Sequence, residues 1–179
     1  MPTALAVIDL QRQVIADAHD RGGVVARTAA LVERARTEQV PVIWVQHNAA
    51  HLVRDSDGWQ LANGLSPAAD EPVVHKQYSD AFAETDLADA LAKTDTDRLV
   101  IAGAASEQCV RATLHSAVIK GYDVVLVSDA HTTQDLVFDG HDLPATQLID
   151  VINAIAQYGL VWPGASGSTA TAATVDLTT

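Results

Sequence analysis

The stretch DRLVIAGAASEQCVRATLHSAVIKGYDVVLVSDA, residues 97–130, decides the fold. It begins with an apolar run, DRLVIAGA, of strand length and without polar alternation. A turn of small residues follows. The run SEQCVRATLHSAVIKGY then has the length and spacing of a helix, with Ser106 as candidate N-cap and Gly121 as C-terminal stop. YDVVLVSDA is a further apolar strand. Strand, helix and strand in this order form the unit that joins parallel neighbours.

The same alternation extends outward in both directions. ALAVIDL predicts a strand ending near Asp9. VVARTAALVERARTEQ places Val25, Ala29, Val32 and Ala35 or Arg36 at helical spacing. PVIWVQH predicts a strand after Pro41. TDLADALAKTD predicts a helix with Thr85 as N-cap and with Leu87 and Leu91 on one face. PATQLIDVINAIAQYG is the last helix, with Pro144 near its start and Gly159 at its end, and LVW makes a short edge strand. The pattern predicts an α/β domain of three layers, a parallel sheet between helices. Ligands of such sheets bind beyond the carboxyl ends of the strands, where Asp9, Gln46, Gly103 and Asp129 fall.

Two segments stand outside the alternation. Residues 47–75 form a long connection carrying His47, His51, Trp59 and His75, and long connections are usually functional or act as lids. From Pro163 onward the chain reads PGASGSTATAATVDLTT. The expected organisation is therefore a domain over residues 1–162 and a polar, low-complexity tail over 163–179. Composition predicts disorder there. If ordered, the tail must rest on its own domain or on a neighbouring subunit.

Composition narrows the function. The chain has 179 residues, which suits one domain. A net charge of −12 argues against nucleic acid and against anionic membrane as partners. No apolar run reaches the length of a bilayer span. The start MPTALAVIDLQRQ lacks a basic lead and a cleavage site, and a single cysteine makes no intrachain disulfide. Both features predict a cytoplasmic protein.

That single cysteine, Cys109, carries the chemistry. A lone cysteine is commonly an inert core residue. Here it falls in the first turn of the predicted helix, where unpaired amides and the helix dipole favour a thiolate. The small residues before it allow a carbonyl to approach backbone N–H groups, as an oxyanion hole requires. Asp9 ends a strand on the same sheet edge and has the chemistry of a base. Lys76 closes the run PVVHK and, beside those two, would keep the carboxylate charged and help a thiolate to form.

Taken together, AVIDLQ, VVHKQYSDAFAETDLADAL and LVIAGAASEQCVRATLHSAVIKGYDVVLVSDA resemble the isochorismatase-like cysteine hydrolases, over nearly the whole chain. The resemblance implies a six-stranded parallel sheet and a catalytic triad of Asp9, Lys76 and Cys109. It also implies a non-proline cis peptide between Ala104 and Ala105, with an oxyanion hole made by the amides of Ala105 and Cys109. The implied activity is hydrolysis of a C–N bond, an amide or cyclic amide of a small molecule, through a thioester. Homodimers or larger homo-oligomers are also implied. The loop VQHNAAHLVRDSDGWQL is similar, in part, to a subgroup that includes streptothricin hydrolase.

Other readings stay open. Isochorismatases proper cleave a vinyl ether without a cysteine, and nicotinamidases add a metal pocket of one Asp and several His. QHNAAH lacks that Asp-x-His pair, and His47 and His51 have no third ligand at matching spacing, so no metal or other cofactor is expected. A non-catalytic relative or a redox-sensing thiol protein are further alternatives. Trp59, Gln46, Tyr78 and Phe82 are candidate substrate-binding residues, although Trp59, Tyr78 and Phe82 suit core packing equally. His115 reads as a packing histidine, and the resemblance makes Asp129 and His131 structural supports of the site.

Overall fold

The computed structural model describes residues 1–178. Its strands and helices run β1 (Thr3–Ile8), α1 (Arg21–Thr37), β2 (Val42–His47), β3 (Val73–Lys76), α2 (Leu87–Ala92), β4 (Arg98–Ala104), α3 (Arg111–Ile119), β5 (Asp123–Thr132), β6 (Leu136–Phe138), β7 (His141–Leu143), α4 (Ala145–Ala154), β8 (Val161–Trp162) and β9 (Ala165–Ala170). Turns of π-helix precede α3, at Ser106–Val110, and follow α4, at Ile155–Gly159.

The sheet has the order β3-β2-β1-β4-β5-β9-β8. The first six of these pair in parallel, and β8 adds an antiparallel edge. The count is thus seven rather than six, because the short LVW edge joins the six parallel strands. The central strands are apolar throughout since both faces are covered. On one face Leu5, Val7, Trp44 and Val100 pack under α1 through Val24, Leu31 and Val32. On the other, Ala6, Ile8, Ile43 and Ile101 meet Leu87 and Leu91 of α2, Leu114 and Val118 of α3 and Ile152 of α4. The three layers follow from these two clusters.

The sixth parallel strand comes from the polar tail. Residues 167–170 pair with Val124–Val127 of β5, and the chain then crosses to the α1 face. There Val175 and Leu177 are 4 % and 1 % exposed, and Arg34 donates to the carbonyls of Ala172 and Val175. Disorder, the reading from composition, does not hold: the segment is ordered on its own domain. Its small residues have a steric reason. A Cβ on Gly167 would lie 2.6 Å from the Ala156 carbonyl oxygen.

Two predicted helix starts differ from the structure. Helix α2 is shorter than predicted and is capped at Asp86, although the Thr85 hydroxyl still accepts the Leu87 N–H. Ser106 does not cap; its hydroxyl turns inward to His131. Gly103 has a close-approach role. Its φ is +145°, and a Cβ there would stand 2.1 Å from the Ile8 carbonyl oxygen. Only glycine lets the end of β4 lie this close to β1.

Removal of residues 163–179 strips β9 from β5 and takes away the buried side chains of Val175 and Leu177. Each buried aliphatic side chain contributes about 1.5–3 kcal/mol. The truncated protein should therefore lose about 3 kcal/mol or more of stability in urea denaturation.

Candidate functional site

The three predicted catalytic residues converge at the carboxyl edge of the sheet. Asp9 follows β1 and leaves the strand with φ 50°, a left-handed conformation that Asp tolerates better than most residues. Its amide donates to the Val45 carbonyl, which ties it to β2. Lys76 is the last residue of β3 and Cys109 lies in the π-helical turn after β4. The peptide bond between Ala104 and Ala105 is cis.

Lys76 joins the group. Its Nζ lies 2.6 Å from Asp9 Oδ2 and donates to Cys109 Sγ at 3.1 Å and to the Tyr78 carbonyl at 3.1 Å. A fourth neighbour, His47 Nδ1, is 3.2 Å away. Lys76 and Asp9 are each 1 % exposed, whereas Cys109 is partly buried.

Burial controls the proton affinities here. It pushes the Asp9 carboxyl up, against the pull of the Lys76 ammonium and its hydrogen bond. It disfavours the Lys76 ammonium, but the charge of Asp9 and the thiol outweigh this and hold Lys76 above its usual range. Burial and the neighbouring Asp9 charge push the Cys109 thiol up to about 12. The thiolate expected from the helix dipole is therefore not the resting form. The turn before α3 buries the sulfur beside a carboxylate, and both effects favour the thiol. Removal of its proton needs a base, and Asp9 is adjacent.

A cavity of about 300 Å³ opens onto Asp9, Cys109 and Ala105. His47, His51 and Leu52 reach it from the start of the long connection. The four residues expected to bind substrate do not line it. Phe82 is buried and stacks on Tyr122. Trp59 is buried, donates from Nε1 to Asn48 and packs beside His75. Gln46 is buried and donates to the Trp59 carbonyl. Tyr78 is exposed and offers Lys76 only its carbonyl. The Phe82 and Trp59 rings supply apolar area to the core and to the loop instead.

Other residues form the wall, among them Gln13, Ser79, Glu107, Gln108, Thr133 and Leu136. Glu107 and Gln108 were findable, since they share the turn of Cys109. Gln13 and Ser79 come from loops with no periodic signal. Gln11 is buried and clamps the loop, donating to the carbonyls of His47 and Trp59 and accepting the His47 amide. His131 is also buried; Ser106 Oγ meets its Nδ1 at 2.8 Å and Asn153 Oδ1 its Nε2 at 3.1 Å. It thus ties the turn before α3 to β5 and α4. His115 is half-buried, and its Nδ1 bonds the Arg111 carbonyl.

Asp9, His47 and Cys109 each bring a metal-ligating atom within 4.8 Å of the others. The Lys76 ammonium already stands against all three residues, so a cation occupies the centre of that set.

The isochorismatase domain matches residues 3–154. The chain belongs to the isochorismatase family. This isochorismatase-family protein is 36 % identical over 139 residues to streptothricin hydrolase of Streptomyces noursei, a match covering 74 % of this chain and 50 % of that relative. It therefore spans about half the length of the relative. It is 30 % identical over 132 residues to maleamate amidohydrolase of Pseudomonas putida, covering 72 % of this chain and 61 % of that one. Among solved structures, an isochorismatase from Pseudomonas putida superimposes with a TM-score of 0.89 at 26 % identity, covering 98 % of this chain and 90 % of the other. The family comprises hydrolases of small molecules, amidohydrolases among them. No helix among the described residues is long and apolar enough to cross a membrane.

Two expectations follow from the site. Alkylation of Cys109 by iodoacetamide in the free protein should climb with pH through the alkaline range, with no plateau near neutrality, because burial and the Asp9 charge push the thiol up to about 12. Asp9→Asn should cost about 3–5 kcal/mol in urea denaturation, since it leaves a buried ammonium without its counter-charge. The double variant Asp9→Asn/Lys76→Met should recover most of that loss.

Proposed function

We propose that this protein is a cysteine amidase that cleaves a C–N bond of a small-molecule amide or cyclic amide. The observation that carries the reading is the Lys76 Nζ position, 2.6 Å from Asp9 Oδ2 and 3.1 Å from Cys109 Sγ, at the wall of a cavity. Few folds would bury a lysine, a carboxylate and a thiol together without a use for them.

Asp9 takes the thiol proton of Cys109 as the sulfur attacks the amide carbon. Lys76 keeps the carboxylate oriented and donates to the sulfur as charge forms there. The amides of Ala105 and Cys109 receive the tetrahedral oxyanion. Collapse breaks the C–N bond, and Asp9 returns its proton to the departing amine. Asp9 then takes a proton from water, which attacks the thioester. The carboxylic acid leaves and the proton returns to the sulfur. The raised thiol agrees with this order, because transfer to Asp9 is coupled to attack rather than completed beforehand. It also weighs against a redox sensor, which needs an easily ionised thiol.

The names of two relatives, a streptothricin hydrolase and a maleamate amidohydrolase, agree with an amide substrate. Self-assembly is part of the same proposal. Exposed Tyr158, Val161 and Trp162 offer apolar surface beside the β8 edge.

The test is amine release from a panel holding streptothricin, nicotinamide, maleamate and N-carbamoyl compounds. Wild type should turn over at least one of them. Cys109→Ala should lower kcat by about 10³-fold or more, with little change in substrate affinity. Full turnover by Cys109→Ala would remove the thiol from the mechanism and end this reading.

A further inference from the structure

The wall of the catalytic cavity has an uneven charge. Two acidic residues line it, Asp9 and Glu107, and no lysine or arginine does. Asp9 is matched by Lys76 at 2.6 Å. The Lys76 ammonium is in turn committed to Asp9, to the Cys109 sulfur, to the Tyr78 carbonyl and to His47. His47 adds no positive charge. An ammonium only donates, so in any bond with Lys76 the His47 Nδ1 accepts, and a ring accepting there is neutral with its proton on Nε2. Burial and the Lys76 charge both favour that neutral form.

Glu107 has no such match. No cation lies within ion-pair distance of it among the described residues. Arg111 stands four residues on, the spacing at which a Glu–Arg pair forms on a helix. Its Nε instead donates to the Glu107 main-chain carbonyl at 2.8 Å. Glu107 Oε1 accepts one long bond, 3.3 Å, from Gln108 Nε2. Oε2 is buried and takes no hydrogen bond. A carboxylate oxygen in that state is costly until a donor reaches it.

We infer that the substrate is a cationic amide whose ammonium or guanidinium group pairs with Glu107. The inference rests on the amidase reading and concerns the part of the substrate beyond the scissile bond. Glu107 precedes Cys109 by two residues, and Cα atoms so spaced lie at most about 7 Å apart. The cation therefore belongs a few bonds from the scissile carbonyl. A carboxylate at that place would meet Glu107 with no arginine to receive it. The net charge of −12 adds a field that draws cations toward the protein.

The experiment uses three primary amides of one chain length that bear an ω-amino group, no substituent or an ω-carboxyl group. Calorimetry with Cys109→Ala measures binding without turnover, and amine release by wild type measures kcat/KM. The ω-amino amide should bind about tenfold or more tighter than the unsubstituted one, with the ω-carboxyl amide weakest. Adding Glu107→Gln should cut the amino-to-unsubstituted ratio to about threefold or less, and raised salt should shrink it in the parent protein. A purely structural role for Glu107 would lower all three affinities together and leave their ratio intact, which would overturn the inference. Equal affinities, or preference for the carboxyl compound, would overturn it too. Charge-ordered binding with no wild-type turnover would uphold Glu107 as the cation site and strike instead at the amidase reading. Hydrolysis that ignores charge would do the reverse.

Discussion

A lysine ammonium held at 1 % exposure is the constraint on which the rest of the structure depends. A buried cation is tolerated only where acceptors surround it. Asp9 answers from the end of β1, the Tyr78 carbonyl from just beyond β3, His47 from the end of β2 and Cys109 from the turn after β4. Parallel pairing in the order β3-β2-β1-β4 brings those strand ends to one edge. An antiparallel sheet would send alternate ends to opposite edges and leave the ammonium unanswered. Sheet topology and site chemistry are thus one requirement met once.

The turn carrying Cys109 depends on smaller features. Gly103 brings β4 against the Ile8 carbonyl, and the cis bond follows immediately. Ser106 then spends its hydroxyl on His131, which reaches Asn153 on α4, and Asn153 donates to the Ser128 carbonyl. This chain crosses three elements and anchors the turn from behind. The cavity lies in front of it, so the wall can vary without disturbing the anchor.

The layers, and the meeting of Asp9, Lys76 and Cys109 at one edge, were legible in the sequence, and for the same reason. Near-continuous apolar runs such as ALAVI and RLVIAGA mark strands buried on both faces, and chemically expensive residues at their ends mark the edge where ligands bind. The strand β9 was not legible. ASGSTA has neither apolar alternation nor β-branched density, and it becomes a strand because β5 offers an open edge and the turn after α4 presses against Gly167. The cavity wall was hidden as well. Trp59 and Phe82 read as pocket aromatics, but their area is used in packing, while Gln13 and Ser79 arrive from connections whose course no periodicity encodes. Thiol ionisation was misjudged because helix position is local information, whereas burial beside Asp9 is tertiary.

The lysine at the centre is oversubscribed. An ammonium has three N–H bonds, and four acceptors stand within 3.2 Å of Nζ. One of them always goes short. While the sulfur carries its own proton, it and the neutral imidazole are the weaker claimants and compete for the same bond. Once the sulfur becomes an anion it is among the strongest, and the neutral imidazole is the member that yields. Charge arriving on Cys109 in the proposed reaction would therefore be met by rotation of a single NH₃⁺ group already in place. Part of the solvent response that a thiolate would demand in bulk water would then come from the torsion of one bond.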